Sequence, residues 1–194
     1  MTTMAARLVE AMKQSAARNY GGEAVTELAH ALQCADLAEA GGADEELALA
    51  SLLHDVGRFA VAQDEISDTL EQVAVRAAVA RGHHDAGADL IAPYVSGRVA
   101  FLVRSHTAAK RYLCAIDAGY VDSLSPASRR TLALQGGAME PEEARRAEVH
   151  LCWADAVRLR RWDDAAKVVG KKTRPLSAWK PLLEKYFGAA SAAR

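Results

Sequence analysis

The sequence predicts an all-α protein, and three observations support this fold class. Alanine, the residue with the highest helix propensity, is the commonest residue in the chain. Clusters of the β-branched residues that favour strands are few. Apolar residues recur at helical spacing in stretches that end at glycine pairs, at 21–22, 41–42 and 136–137. We therefore expect a single helical-bundle domain over 1–194, with its core over about 20–167.

Start and stop signals define the individual elements. The predicted helices cover, in order, 3–17, 23–40, 45–55, 66–81, 83–90, 96–112, 126–134, 140–150 and 155–167. Asp44 and Ser125 are suitable N-caps, because their side-chain oxygens can accept hydrogen bonds from the free N–H groups of a first turn. Gly57 follows the third predicted helix. The segment after 167, which carries Pro175 and Pro181, is expected to form a looser tail with a frayed end at 189–194.

Composition restricts the class of protein. The chain has 194 residues, 51% of them hydrophobic and 25% charged, with a formal net charge of −1. It has no basic field to attract nucleic acid and no run of about 18 apolar residues to cross a membrane. The three cysteines form no CxxC pair, which favours a reducing compartment. We expect a cytoplasmic protein that binds neither nucleic acid nor membrane; the sequence predicts no oligomeric state.

The dipeptide His54-Asp55 is the most informative feature of the chain. It closes an apolar helical run, 47–53, and a buried imidazole with an adjacent carboxylate is costly to desolvate without a partner. A metal ion uses both groups, since imidazole nitrogens and carboxylate oxygens are ligands of iron, zinc and manganese. The carboxylate can also bridge two metals. Taken alone, the dipeptide is equally consistent with a core histidine whose hydrogen bonds are satisfied.

Other histidines extend this interpretation. His30 lies upstream, His83 and His106 follow, and Asp163 lies beside a tryptophan on the last predicted helix. We interpret His84 and His150 as ordinary core or surface residues. Because adjacent side chains on a helix diverge by about 100°, one of His83 and His84 is expected to point away from the site.

These residues carry a resemblance to a known family. His30, His54-Asp55 and Asp163 resemble the H…HD…D pattern of the HD-domain superfamily of helical metalloproteins, most of which are phosphohydrolases. The chain is similar in particular to the HD-domain mixed-valent diiron oxygenases that cleave carbon–phosphorus bonds, and more distantly to myo-inositol oxygenase. The segments that carry this narrower resemblance are 20–35, 53–57, 83–89, 106–113, 124–130, 135–137 and 160–163.

The resemblance implies a pair of iron ions, Fe(II) and Fe(III), with dioxygen as co-substrate. The ligands implied for one iron are His30, His54, Asp55 and Asp163. The second iron would be held by His83 and His106, with Asp55 bridging. Tyr20 and Glu23 match the family's catalytic lid, in which the tyrosine occupies an iron position until substrate displaces it.

The resemblance also implies a substrate site. Lys110, Ser128 and Arg160 match residues that grip a phosphonate, and the spacing agrees, since Lys110 lies one helical turn after His106. A dianion suits lysine and arginine donors. Without the resemblance, these residues would be interpreted as solvated charges and a turn residue. Arg58 departs from the family, which usually has histidine there, so we place Arg58 in a substrate pocket of altered shape and charge.

The implied function is an iron-dependent oxygenase of organophosphonate catabolism. It would use dioxygen to cleave the C–P bond of a small 1-hydroxy-2-(amino or trimethylammonio)ethylphosphonate, giving glycine or glycine betaine plus inorganic phosphate. Glu23 would favour the cationic tail, although another branch of the family accepts hydroxymethylphosphonate, which has none. The alternative is an HD-domain metal-dependent phosphohydrolase, whose metals would generate hydroxide to attack a phosphoester. Tyr20, Glu23 and the segment around Lys110 favour the oxygenase.

Overall fold

A computed structural model of the chain describes residues 2–58 and 82–188. The helices in these ranges are α1 Met4–Ser15, α2 Glu27–Ala40, α3 Glu45–Leu53, α4 His83–Ile91, α5 Gly97–Ile116, α6 Tyr120–Ser123, α7 Pro126–Leu134, α8 Pro141–Glu148, α9 Trp153–Ala165 and α10 Leu176–Phe187. The described ranges contain no strand beyond one isolated bridge between Asn19 and Thr26. The predicted all-α fold is therefore confirmed.

Helices α3 and α5 form the centre of the bundle. Helix α5 packs against α9, α4 and α3, while α2 packs against α3 and α9. Every residue of α3 from Leu47 to Leu53 is buried, so this part of the helix is enclosed on all sides. The end of α3 therefore brings His54 and Asp55 into the interior of the bundle, where both are buried.

The predicted N-caps are confirmed. The Asp44 side chain accepts a hydrogen bond from the backbone N–H of Leu47 at 2.9 Å. The Ser125 hydroxyl accepts one from the backbone N–H of Ser128 at 3.1 Å. Each cap satisfies a donor that the first helical turn leaves unpaired, and so fixes where α3 and α7 begin.

The predicted start of the second helix at 23 is wrong. Helix α2 begins at Glu27, and its N-cap is Thr26, whose hydroxyl accepts from the backbone N–H of Ala29 at 3.1 Å. Gly21 and Gly22 have φ values of +54° and +90°, a region that glycine enters without a steric penalty. The chain turns tightly here, and Glu23 lies in the loop before the helix.

The predicted loose tail is also wrong, because residues 176–187 form α10. Trp179, Leu183 and Phe187 are four residues apart and buried, and α10 packs against α1. A proline inside a helix, here Pro181, costs about 3 kcal/mol. Burying three large apolar side chains contributes about 1.5–3 kcal/mol each, so packing outweighs that cost.

Two other predictions, the helix at 66–81 and the frayed end at 189–194, lie outside the described residues. Among the helices that the structure describes, none has the length and apolar character needed to cross a membrane.

Candidate metal centre

His30 and His54 form the first half of a buried histidine and carboxylate cluster. His30 lies on the buried face of α2, and His54 follows the last residue of α3. The ring Nδ1 of His30 donates to the carbonyl of Ala166 at 2.9 Å, and that of His54 donates to the carbonyl of Ser51 at 2.8 Å. A carbonyl can only accept, so Nδ1 carries the proton and Nε2 is the free nitrogen in each neutral ring.

His83 and His106 form the second half. His83 is the first residue of α4, and His106 lies in the buried middle of α5. The Nδ1 of His106 donates to the carbonyl of Val103 at 2.7 Å, which again leaves Nε2 free. The two Nε2 atoms are 3.2 Å apart. Both histidine pairs thus present Nε2 toward the interior of the site.

Asp55 lies between the two pairs. Its Oδ1 is 2.9 Å from His83 Nε2 and 3.8 Å from His106 Nε2. Its Oδ2 is 3.4 Å from His54 Nε2 and 3.9 Å from His30 Nε2. One carboxylate therefore directs a different oxygen to each pair of histidines, which is the geometry of a bridging ligand.

Asp163, on α9, lies beside the first pair of histidines. We call His30, His54, Asp55 and Asp163 the first cluster, and Asp55, His83 and His106 the second cluster. Asp163 Oδ1 lies 3.3 Å from His30 Nε2 and 3.9 Å from His54 Nε2. Its Oδ2 accepts a hydrogen bond from Arg160 Nη1 at 2.6 Å. The structure thus brings together all six residues that the resemblance implies as ligands.

The arrangement of these atoms fits a pair of cations. The Nε2 atoms of His30 and His54 are 3.1 Å apart, and in neutral rings both carry lone pairs, so a bound cation relieves their repulsion. Asp55 Oδ2 and Asp163 Oδ1 are buried and accept no hydrogen bond within the described part of the chain. Buried oxygens of this kind are costly unless a metal or a donor satisfies them. Histidine and carboxylate ligands suit iron, zinc or manganese.

Neighbouring charges keep both carboxylates ionised. Burial opposes the charge on Asp55, but the Arg58 guanidinium beside it holds the pKa of Asp55 well below its usual range. Burial likewise opposes the charge on Asp163, and the Arg160 guanidinium keeps its pKa well below the usual range. The cluster therefore presents two anionic carboxylates at neutral pH, as metal binding requires.

A close backbone approach sets the position of Asp55 relative to His83. Gly57 lies beyond the end of α3 at Leu53, as predicted, and belongs to a further helical turn at 56–58 that follows His54 and Asp55. A Cβ at Gly57 would be 2.0 Å from the carbonyl oxygen of His83 and 2.8 Å from the backbone nitrogen of Gly87. Only glycine lets this turn pack directly onto α4.

His84 lies outside the two clusters. The groups that could hold a metal within the described ranges are His30 with His54 and Asp55, and Asp55 with His83 and His106. The Nε2 of His84 is instead 3.8 Å from Asp85 Oδ2. This placement agrees with the sequence-based choice of His83 over its neighbour.

The residues predicted to bind the substrate lie beside the first cluster. Lys110, Ser128 and Arg160 are all buried. The Nζ of Lys110 donates to the hydroxyl of Thr131 at 2.9 Å. Burial, together with the nearby Arg160, lowers the pKa of Lys110 to about 8. The interpretation of Lys110 and Arg160 as solvated helix charges does not match their burial.

Lys167 and Asp164, which link these side chains, were not among the residues predicted from the sequence. The Nζ of Lys167 donates to the Ser128 hydroxyl at 3.0 Å and lies 3.7 Å from Asp164 Oδ1. Asp164 in turn contacts Arg160 and Tyr120. The spacing of Arg160 and Asp164, four residues apart on one helix, was a signal for this pairing. No sequence pattern predicts the contact with Tyr120, which is 44 positions away.

The candidate lid lies against the first cluster. The Tyr20 ring stacks on the His30 imidazole, with centroids 3.8 Å apart and an interplanar angle of 15°. Burial, and then the charges of Asp163 and Asp55, raise the pKa of Tyr20 well above its usual value. Glu23 Oε1 accepts a hydrogen bond from the Ser125 hydroxyl at 2.5 Å, which connects the loop to the N-terminus of α7.

Arg58 lies on the other side of Asp55. Its Nε donates to Asp55 Oδ1 at 3.1 Å, and its guanidinium carbon is 5.3 Å from the centroid of the Tyr20 ring. The side chain is 28% exposed, so it contacts both a candidate metal ligand and the candidate lid while remaining accessible. The structure therefore places Arg58 at the site.

Comparison with known proteins identifies the family. The HD domain model matches residues 28–157, more than half of the chain. The chain therefore belongs to the HD domain family.

Its relatives define a narrower group. A hydroxymethylphosphonate dioxygenase of Gimesia maris is 38% identical over 169 residues, which cover 87% of this chain and 81% of the relative. The glycine-betaine-forming (1-hydroxy-2-(trimethylamino)ethyl)phosphonate dioxygenase of Leisingera caerulea is 35% identical over 176 residues, covering 88% and 85%. An uncharacterized protein of Acanthamoeba polyphaga mimivirus is 29% identical over 185 residues, covering 95% and 82%. The resemblance stated from the sequence is confirmed.

Proposed function

We propose that this chain is an iron-dependent oxygenase that uses dioxygen to cleave the C–P bond of a small 1-hydroxyphosphonate. The observation that carries the proposal is the pair of histidine clusters sharing Asp55, with buried Lys110 and Arg160 beside them. The likeness to two phosphonate dioxygenases over more than four fifths of the chain supports the reaction class.

The net reaction balances without an added reductant. A 1-hydroxyphosphonate dianion and one dioxygen give a carboxylate, hydrogen phosphate and one proton. The C–H and C–P bonds at C1 are broken, and the four electrons released reduce dioxygen. A substrate with an aminomethyl or trimethylammoniomethyl group on C1 gives glycine or glycine betaine, and hydroxymethylphosphonate gives formate.

The metal pair would be two irons in the mixed-valent Fe(II)/Fe(III) state. His30, His54, Asp55 and Asp163 would hold one, and His83, His106 and Asp55 would hold the other. When bound, the irons supply the redox chemistry for dioxygen and the Lewis acidity that holds the substrate hydroxyl. The protein fixes the ligands through the carbonyls that orient the Nδ1 atoms of His30, His54 and His106.

The protein's cations would bind and orient the phosphonate. Arg160 offers a planar fork of N–H donors, Lys110 a protonated amine and Ser128 a hydroxyl. These groups lie in a buried environment where hydrogen bonds to a dianion are stronger than in water. Holding the phosphonate in one orientation presents the C–H bond at C1 to the metal pair.

Tyr20 would act as a lid. Its ring covers His30, and it lies directly before Gly21 and Gly22, which can absorb the backbone rotation of a moving segment. In the resting protein Tyr20 would exclude water and dioxygen from the first cluster until the substrate displaces it. Glu23 would then accept the cationic tail, and Arg58 would limit the size of the tail.

A substrate panel tests this proposal. We expect dioxygen consumption and phosphate release with 1-hydroxyphosphonates that carry a 2-amino or 2-trimethylammonio group. Lys110→Met should raise KM for the phosphonate at least tenfold, since a charge-assisted hydrogen bond is worth roughly 1.5–3 kcal/mol. The matched control is Lys180→Met, because Lys180 is 57% exposed and pairs only with Glu184 among the described residues.

Three results would count against parts of the proposal. Hydrolysis of p-nitrophenyl phosphate without dioxygen, together with inertness toward every phosphonate, would favour the phosphohydrolase. Equal activity on hydroxymethylphosphonate would exclude recognition of the tail by Glu23 while leaving the reaction class intact. An unchanged KM in Lys110→Met would remove Lys110 from the phosphonate site.

A further inference from the structure

Asp164 is a carboxylate in a site that is otherwise built to attract an anion. It follows the candidate metal ligand Asp163 on α9, but it does not belong to either histidine cluster. Coulomb repulsion from Asp164 alone would weaken the binding of a phosphonate. Asp164 instead contacts the two cations Arg160 and Lys167.

Asp164 holds one edge of the Arg160 guanidinium. Its Oδ2 accepts from Arg160 Nε at 3.1 Å, and its Oδ1 accepts from Arg160 Nη2. Nη1 donates to Asp163 Oδ2 at 2.6 Å. A guanidinium has five N–H groups, so these contacts leave one N–H on each terminal nitrogen. Those two can grip two oxygens of one phosphonate.

Tyr120 contacts both partners of the Asp164–Arg160 pair. Its hydroxyl donates to Asp164 Oδ2 and accepts from Arg160 Nε at 3.1 Å. The Tyr120 side chain is buried, and burial raises its pKa well above the usual value, so the hydroxyl keeps the proton that it donates. Tyr120 therefore restricts Asp164 to a single orientation.

Asp164 also lies beside the second cation. The same Oδ1 that pairs with Arg160 is 3.7 Å from Lys167 Nζ, which donates to the Ser128 hydroxyl at 3.0 Å. Arg160 and Lys167 would repel each other without an anion between them. One carboxylate thus keeps two cations close together on one side of the site.

We propose that Asp164, supported by the Tyr120 hydroxyl, is a positioning residue that directs the free N–H groups of Arg160 and Lys167 toward the phosphonate. This inference rests on the proposed function, because it assumes that the anion bound there is a phosphonate or its phosphate product. Asp164 touches neither the substrate nor the metals and acts through the two cations.

The direction in which Asp164→Asn changes the affinity for phosphate distinguishes an orienting role of Asp164 from a purely electrostatic one. Asp164→Asn removes a negative charge, so charge alone predicts tighter binding of an anion. Orientation predicts weaker binding, because an amide cannot accept from both nitrogens of the Arg160 edge. We expect the Kd of inorganic phosphate, measured by titration calorimetry on the purified protein with its metals, to rise about tenfold. Metal content should stay at the wild-type level.

Two further variants serve as controls. Asp155→Asn removes a carboxylate on the same helix that is 24% exposed, close to the 21% of Asp164, and that also accepts from two arginines, Arg98 and Arg158. It lies about 13 Å earlier along the helix axis and should leave phosphate binding unchanged. Tyr120→Phe preserves packing and should weaken phosphate binding in the same direction as Asp164→Asn, by a smaller factor.

Phosphate binding by Asp164→Asn that equals or exceeds that of the wild type overturns the inference, as does a wild type that binds no phosphate. A wild type that binds phosphate, loses affinity in Asp164→Asn and yet consumes no dioxygen with any 1-hydroxyphosphonate contradicts the proposed reaction. In that case the positioning role of Asp164 stands.

Discussion

At the scale of single residues, Asp55 connects the two halves of the site. Each of its oxygens faces a different histidine pair, at 2.9 Å for the nearest contact of Oδ1 and 3.4 Å for that of Oδ2. A metal held by either histidine pair would therefore share Asp55 with a metal held by the other pair.

We predict that Asp55→Ala loses metal from both positions, because it removes the one ligand they share. His84→Ala should retain nearly all of the wild-type metal, since the His84 ring lies outside both clusters. Elemental analysis of the purified variants measures both effects. Loss of metal in His84→Ala with retention in His83→Ala would reverse the assignment of the adjacent histidines.

The pKa of Lys110 predicts a pH dependence. Burial, and then the charge of Arg160, lowers this pKa to about 8, so the ammonium is lost as the pH rises through that value. A neutral amine attracts a phosphonate dianion less strongly, so kcat/KM should fall above about pH 8. Lys110→Arg keeps its charge and should move this alkaline limb upward. If the fall of kcat/KM occurs at the same pH in Lys110→Arg, the titrating group is not Lys110.

At the scale of elements, the contact between the turn at 56–58 and α4 sets the distance between the two clusters. The atoms that a Gly57 side chain would meet belong to the backbone, so no rotation of a side chain can relieve the overlap. Gly57→Ala should displace α4, destabilise the protein by about 1–3 kcal/mol and reduce metal bound at His83 and His106.

Thermal unfolding and elemental analysis together test this prediction. Gly97→Ala is the matched control, because a Cβ at Gly97, the first residue of α5, meets no atom within 4 Å. If Gly57→Ala unfolds like the wild type and binds the full amount of metal, the close approach does not position His83.

The elements also show which features the sequence predicts. Asp44 and Ser125 were predictable as caps because capping depends on one side chain and the next three residues. The start of α2 was not, since the turn at Gly21 and Gly22 and the cap by Thr26 compete with continuous helical spacing. Helix α10 was missed because its stability comes from packing on α1, which outweighs the local effect of Pro181.

At the scale of the whole molecule, the site gathers residues from distant parts of the chain. His30 and the Ala166 carbonyl that orients it are 136 positions apart, so the first cluster depends on the contact of α2 with the end of α9. The grouping of the candidate ligand residues was predictable, because histidine and aspartate in this order resemble a family pattern. The contacts of Asp164 with Tyr120 and of Lys167 with Ser128 were not, since they form only where the end of α9 and the residues after it pack beside α6 and α7.

We propose that this helical bundle cleaves a C–P bond with dioxygen. The most direct test is phosphate release from 1-hydroxy-2-aminoethylphosphonate or its trimethylammonio analogue, measured with and without air while dioxygen uptake is recorded. We expect one phosphate per dioxygen consumed and no phosphate under anaerobic conditions. Phosphate release that continues unchanged without dioxygen would exclude the oxygenase and identify the reaction as hydrolysis.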